Sequence, residues 1–107
     1  MVLQDPSHWN EGQWSAHIAN EIDGVTEYVC IDGSRCDILT EKSAYEVEWS
    51  SKWKEAPAQA VLYGALTNRD PVVLLLVRNR EKEKRYILRC AIVCSQIGIR
   101  LETRKIP

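Results

Sequence analysis

The sequence predicts an α/β (α+β) fold, a single domain over residues 1–107 with a mixed sheet flanked by helices in the order αβββαβαβ. Three observations carry this expectation. Val25 to Ile31 alternates like a strand, and Arg35 to Leu39 reads as its return across Asp32-Gly33, a hairpin-turn signal. Val72 to Val77 is an uninterrupted Val/Leu run, the pattern of a strand covered on both faces. Residues 52–66 and Tyr86 to Gly98 have helical composition and spacing, and they flank that run where crossover helices belong.

The remaining elements follow in order. Residues 6–22 space Trp9, Gln13, Ala16, Ile18 and Ile22 at helical intervals, with Pro6 near the start and Gly24 beyond the end. After a turn over Thr40-Glu41-Lys42, Ser43 to Trp49 forms a third strand. Pro57 is tolerated only in a first turn, so the regular second helix begins near Lys54. Residues 78–85, RNREKEKR, form a charged turn, Gly98 caps the last helix, and Ile99 to Ile106 alternates as the final strand. The crossover into Val72 to Val77 is right-handed by the usual rule.

At 107 residues the chain can bury one modest core. The apolar run Pro71 to Val77 is too short to cross a bilayer, and MVLQDPSHWNEG lacks the basic and apolar parts of a signal peptide. A soluble cytoplasmic protein is expected, with no membrane partner and no organic cofactor. The net charge of −1 conceals an asymmetry: residues 1–77 hold 5 Lys/Arg against 12 Asp/Glu, and residues 78–107 hold 9 against 3. That division suits a divalent-cation site beside a phosphate-binding surface, or two solvated charge groups that neutralise each other. Cys30, Cys36, Cys90 and Cys94 lack the C-x-x-C spacing of a zinc knuckle and read as buried free thiols.

The stretch AYEVEWSSKWKEA, Ala44 to Ala56, concentrates the chemistry. Strand residues two apart share a face, so Glu46 and Glu48 project together while Tyr45, Val47 and Trp49 pack on the other side. If the second and third strands are neighbours, Asp37 approaches Glu46 within a few ångströms. Carboxylates held that close repel unless a cation lies between them, and hard oxygen donors suit Mg²⁺ or Mn²⁺. The Val47 carbonyl is a further candidate ligand. Lys52, Gln59 and Tyr63 fall near one helical stripe beside this cluster. Lys52 is placed to stabilise developing charge or polarise a metal-bound water, and Gln59 and Tyr63 to line the same wall. Taken singly, each of these residues is an ordinary surface or core residue; their combination is what points to a site.

Asp37, Glu46-Val47-Glu48, Lys52 and Gln59-Ala60-Val61-Leu62-Tyr63 together resemble the PD-(D/E)XK nuclease superfamily, the restriction-endonuclease-like fold. HWNEGQW, DGSRCDILT and QAVLYGALTNRDPVVLLLV extend the likeness to small prokaryotic and phage proteins of that superfamily. The resemblance implies a Mg²⁺- or Mn²⁺-dependent nuclease, an endonuclease acting on DNA in a prokaryotic cell or phage-infected host. Asp37, Glu46 and Glu48 would bind metal, Lys52 and Gln59 would serve catalysis, and the motif lysine, whose position holds Glu48, would come from Lys52 or Lys54. Glu11 or Glu21 is a candidate extra acid, with exposed helix surface the simpler expectation for each. Arg78, Arg80, Lys82, Lys84 and Arg85, with Tyr63, would contact nucleic acid. A homodimer joined through an edge strand would let so small a domain cut a duplex. The competing expectation is a catalytically weak or inactive nuclease-fold binding module, favoured by a pI near 6.1. A third is a metal-free interaction protein whose Trp9, Trp14, Trp49 and Trp53 form an interface rather than core.

Overall fold

The structure, a computed structural model, describes residues 5–107. Residues 1–4, which open the stretch read for a signal peptide, lie outside the described residues. The elements are α1 (Glu11–Glu21), β1 (Val25–Val29), β2 (Arg35–Leu39), β3 (Ser43–Trp49), α2 (Ala56–Thr67), β4 (Asp70–Val77), α3 (Arg80–Ile97) and β5 (Arg100–Lys105). This is the expected order αβββαβαβ. The strands form one mixed sheet in the order β1-β2-β3-β4-β5, antiparallel from β1 to β3 and parallel from β3 to β5.

The period-2 pattern of β4 organises the two faces. Val72, Leu74 and Leu76 pack with Trp14, Ile18 and Ala19 of α1, joined by Ile38, Tyr45, Val47 and Ile106. Val73, Leu75 and Val77 face the other way, against Ala56 and Ala60 of α2 and Cys90 and Cys94 of α3. Every residue from Val72 to Val77 is therefore buried, as a strand covered on both sides must be. A smaller cluster of Cys30, Cys36, Leu39, Ala44 and Tyr63 lies under the far part of α2. Gly64 lets the end of α2 pack against the start of β4: a Cβ there would stand 2.9 Å from the Arg69 carbonyl oxygen and 3.0 Å from Pro71.

Several boundaries depart from the sequence expectation, each for a local reason. The helix expected over 6–22 splits into a 3-10 turn, Pro6–His8, and α1. Asn10 sets the start of α1 by a capping box, its side chain accepting from the Gln13 amide at 2.9 Å while the Gln13 side chain accepts from the Asn10 amide at 2.9 Å. Ser50–Glu55 is a 3-10 segment, so regular α2 begins at Ala56 rather than near Lys54, with Pro57 inside its first turn. The charged turn expected over 78–85 is instead mostly helix, because α3 starts at Arg80. There the Asn79 side chain accepts from the Lys82 amide, and Glu83 accepts from the Arg78 and Asn79 amides and from the Ser50 hydroxyl. β1 stops at Val29, short of Ile31, and remains an edge strand with Val25 and Val29 exposed.

All four cysteines are buried and free; the sulfurs of Cys90 and Cys94 lie 3.9 Å apart, and burial pushes the Cys90 thiol up to about 12. Trp14 is core, Trp9 and Trp49 pack partly against the same cluster, and Trp53 packs against the other. The four indoles thus serve packing on two faces and do not build one surface. Among the described residues, no helix is long and apolar enough to cross a membrane.

Candidate functional site

The site begins with a gap in the sheet. β3 pairs with β4 continuously from Ser43↔Asp70 to Trp49↔Leu76, but with β2 only at Ile38↔Tyr45 and Leu39↔Ala44. Beyond Ile38 the two strands part, and backbone groups that a ladder would satisfy need other partners. Side chains of β2 supply them. Asp37 Oδ2 accepts from the Val47 amide at 2.7 Å, and the Cys36 thiol donates to the carbonyls of Ile38 at 3.3 Å and Tyr45 at 3.8 Å.

Glu46 points into this gap from β3 and is only 4% exposed. Its carboxyl lies beside that of Asp37, close enough for each to act on the other's proton affinity. Burial raises the proton affinity of both groups, and the Asp37 charge raises that of Glu46 further. Gln59, one turn into α2, closes the pair from above. In the amide orientation that satisfies its neighbours, its nitrogen donates to Glu46 Oε1 at 2.8 Å and Oε2 at 3.2 Å.

A second pair adjoins the first. Glu11, the first residue of α1, lies near Glu48; burial first and Glu48 second push its carboxyl up to about 8. Glu48 also accepts from the Trp49 amide at 2.9 Å. The pairs feel each other, since Asp37 raises Glu11, and Glu11 and Glu48 raise Glu46. Four acids so arranged are tolerable near neutral pH only if protons or a cation offset their charge. Among the described residues, no group of three or more Asp, Glu, His or Cys side chains stands together at cation-binding spacing. The donor atoms of the four acids are all carboxylate oxygens, the chemistry that suits Mg²⁺ or Mn²⁺, with Glu46 more deeply buried than Asp37, Glu48 and Glu11.

The residues expected from sequence meet here unevenly. Asp37, Glu46, Glu48 and Gln59 converge, and Val47 takes part through its amide. Lys52 does not share a helical stripe with Gln59 and Tyr63. It lies in the 3-10 segment with non-helical φ −111° and ψ 29°, is exposed, and its charge reaches Glu11. Lys54 is exposed on the same segment. Tyr63, expected at a nucleic-acid surface, is instead 8% exposed in the cluster with Cys36 and Leu39. Burial, then the Glu46 and Asp37 charges, drive its phenol well above the ordinary tyrosine range. It forms the inner wall of the site.

Glu11, expected on exposed helix surface, belongs to the site. Its signal was in the sequence: Ser15 and Ile18, four and seven residues on, are buried, so Glu11 begins the inward stripe of α1. Glu21 lies elsewhere, paired with His17 at 2.9 Å and Arg104 at 2.8 Å. The basic residues are exposed but mostly engaged within the fold. Arg78 lies 4.7 Å over the Trp49 ring and donates to the Ser7 carbonyl at 2.9 Å. Arg80 donates to Thr103, Lys84 pairs with Glu81, Arg85 stacks on Tyr86, and Lys82 is exposed beside them. A cleft of about 440 Å³ lined by Thr40, Ser43, Tyr45, Asp70 and Arg100 lies at the opposite end of β3 and shares no residue with the carboxylates.

No protein-family model, curated protein or solved structure matches the chain.

Proposed function

We propose that this domain is a divalent-metal-dependent nuclease of restriction-endonuclease-like fold that hydrolyses phosphodiester bonds of DNA. The observation that carries the reading is the meeting of Asp37 with buried Glu46 where β2 and β3 part, beside Glu11 and Glu48. A Mg²⁺ or Mn²⁺ ion would be held by Asp37 and Glu46, with Glu48 and Glu11 reached directly or through water. When bound by these residues, such an ion would supply an activated water and offset charge on the phosphate. The chain's own groups do the rest. Asp37 is oriented by the Val47 amide, and Gln59 fixes the Glu46 carboxylate from α2. Lys52, on an exposed segment, carries its charge toward Glu11 at the rim, where a scissile phosphate would lie. Arg78 and the first turns of α3 follow β4 and offer backbone-phosphate contacts with little base readout. The exposed edge of β1 is where a second copy would pair to give a homodimer.

The test is incubation with plasmid and with single-stranded DNA in Mn²⁺ or in EDTA. Cleavage in Mn²⁺ that disappears in EDTA and in Glu46→Ala supports the reading, and cleavage that persists in Glu46→Ala assigns it to another source. A second reading, a nuclease-fold binding module of little or no activity, is favoured by one feature: Lys52 stands outside α2, exposed on the 3-10 segment. DNA binding without turnover in Mn²⁺ would select it.

A further inference from the structure

We propose that the backbone of Glu27 positions Asp37. The inference rests on the site reading above for its functional consequence, but not for its geometry. Glu27 lies in the middle of β1 yet has φ 55°, a left-handed conformation that a non-glycine side chain disfavours. The β1–β2 register runs Val25↔Leu39, Thr26↔Ile38, Tyr28↔Cys36 and Val29↔Arg35, and the intervening pair, Glu27 with Asp37, is missing. The distortion sits directly across from the aspartate.

β2 answers it at the same point. In a regular strand, positions two apart share a face. Ile38 packs with Trp14 and Ile18 on the α1 side, whereas Cys36 packs with Leu39 and Tyr63 under α2. Alternation therefore fails across Asp37. The consequence is visible in the gap toward β3, where the Asp37 carboxylate takes the Val47 amide and the Cys36 thiol takes two carbonyls. A Glu27 returned to extended backbone would restore the missing pair, regularise β2, and turn Asp37 away from Val47 and Glu46. Glu27 is thus a positioning residue acting through backbone shape; its charge, which also raises the Asp37 proton affinity, is a separate effect.

Four substitutions separate shape from charge, since all remove the carboxylate. Glu27→Gly and Glu27→Asn accept positive φ, whereas Glu27→Thr and Glu27→Val favour extended backbone. Two readouts are taken: hydrogen exchange of the Val47 amide in the metal-free protein, and Mn²⁺ affinity by calorimetry. Glycine and asparagine are expected to keep Val47 protection and Mn²⁺ affinity near the wild-type values. Threonine and valine should accelerate Val47 exchange and weaken Mn²⁺ binding by about tenfold or more. Their melting temperatures in EDTA should hold, because β-branched residues suit a strand. A protein with general unfolding would instead speed exchange at buried Leu75 as well, which serves as the internal reference. Equal Val47 exchange in Glu27→Asn and Glu27→Thr overturns the proposal. A wild type that binds no Mn²⁺ while Val47 still responds to threonine removes the metal reading and leaves the positioning role standing.

Discussion

The two edges of β3 are built on opposite terms. Toward β4, the ladder is complete over seven registered pairs and the flanking side chains are almost all apolar. Toward β2, two pairs suffice before the strands separate, and the gap is filled by a carboxylate, a thiol and a second carboxylate. The first edge is where the fold gains its stability: burying Leu75 or Leu76 contributes roughly 1.5–3 kcal/mol each. The second edge costs stability, because acids are gathered at low exposure with raised proton affinity. An arrangement that costs stability in one confined place is best explained by what it can bind.

The contrast can be broken most decisively at the open edge. Asp37→Ala and Glu46→Ala should each lower Mn²⁺-dependent DNA cleavage by about 100-fold or more, measured as initial rate on plasmid, while the fold survives. At the closed edge the same kind of truncation should do the reverse. Leu75→Ala should remove about 2–5 kcal/mol, read as a fall in denaturant midpoint, through a lost contact and a cavity and with no special effect on metal affinity.

Proton linkage sharpens the difference. Glu46 and Glu11 hold their protons in the folded state at pH values where an unfolded glutamate has lost them. More protons bound when folded means that stability falls as pH rises from the ordinary glutamate value of 4.5 toward the raised values. In EDTA the melting temperature should therefore drop by about 5 °C or more between pH 5 and pH 8. Glu46→Gln should flatten that slope, and saturating Mn²⁺ should reverse the loss. The smallest effect is expected from Cys36→Ala, which leaves the Ile38 and Tyr45 carbonyls without the thiol and should cost about 1–2 kcal/mol by chemical denaturation.

How much of this was legible in the sequence follows the same division. The closed edge was readable because a continuous Val/Leu run admits one environment, and the element order αβββαβαβ followed from it. Asp37, Glu46 and Glu48 were readable from strand alternation and a hairpin turn, since both fix facing directly. Lys52 was misplaced because six residues of 3-10 helix precede α2, and a 3-10 turn advances side chains by a different angle from an α-helix. The start of α3 was hidden for another reason. Charged residues read as a turn by composition, whereas the Asn79 cap and the Glu83 carboxylate make them a helix. Glu11 could have been found once Asn10 and Gln13 were recognised as a capping box, which fixes the phase of α1. The role of Glu27 was not readable at all, because nothing in a glutamate between Thr26 and Tyr28 announces positive φ.

One measurement bears on the open edge more directly than any rate. Mn²⁺ is titrated into the protein near pH 7 in two buffers of different ionisation enthalpy, which yields affinity and proton release together. A cation replacing the protons of the Asp37–Glu46 and Glu11–Glu48 pairs should bind with release of protons, and Glu46→Ala should abolish both signals. Absence of binding, or binding that frees no proton and is unchanged in Glu46→Ala, would contradict the claim that these acids form a cation site.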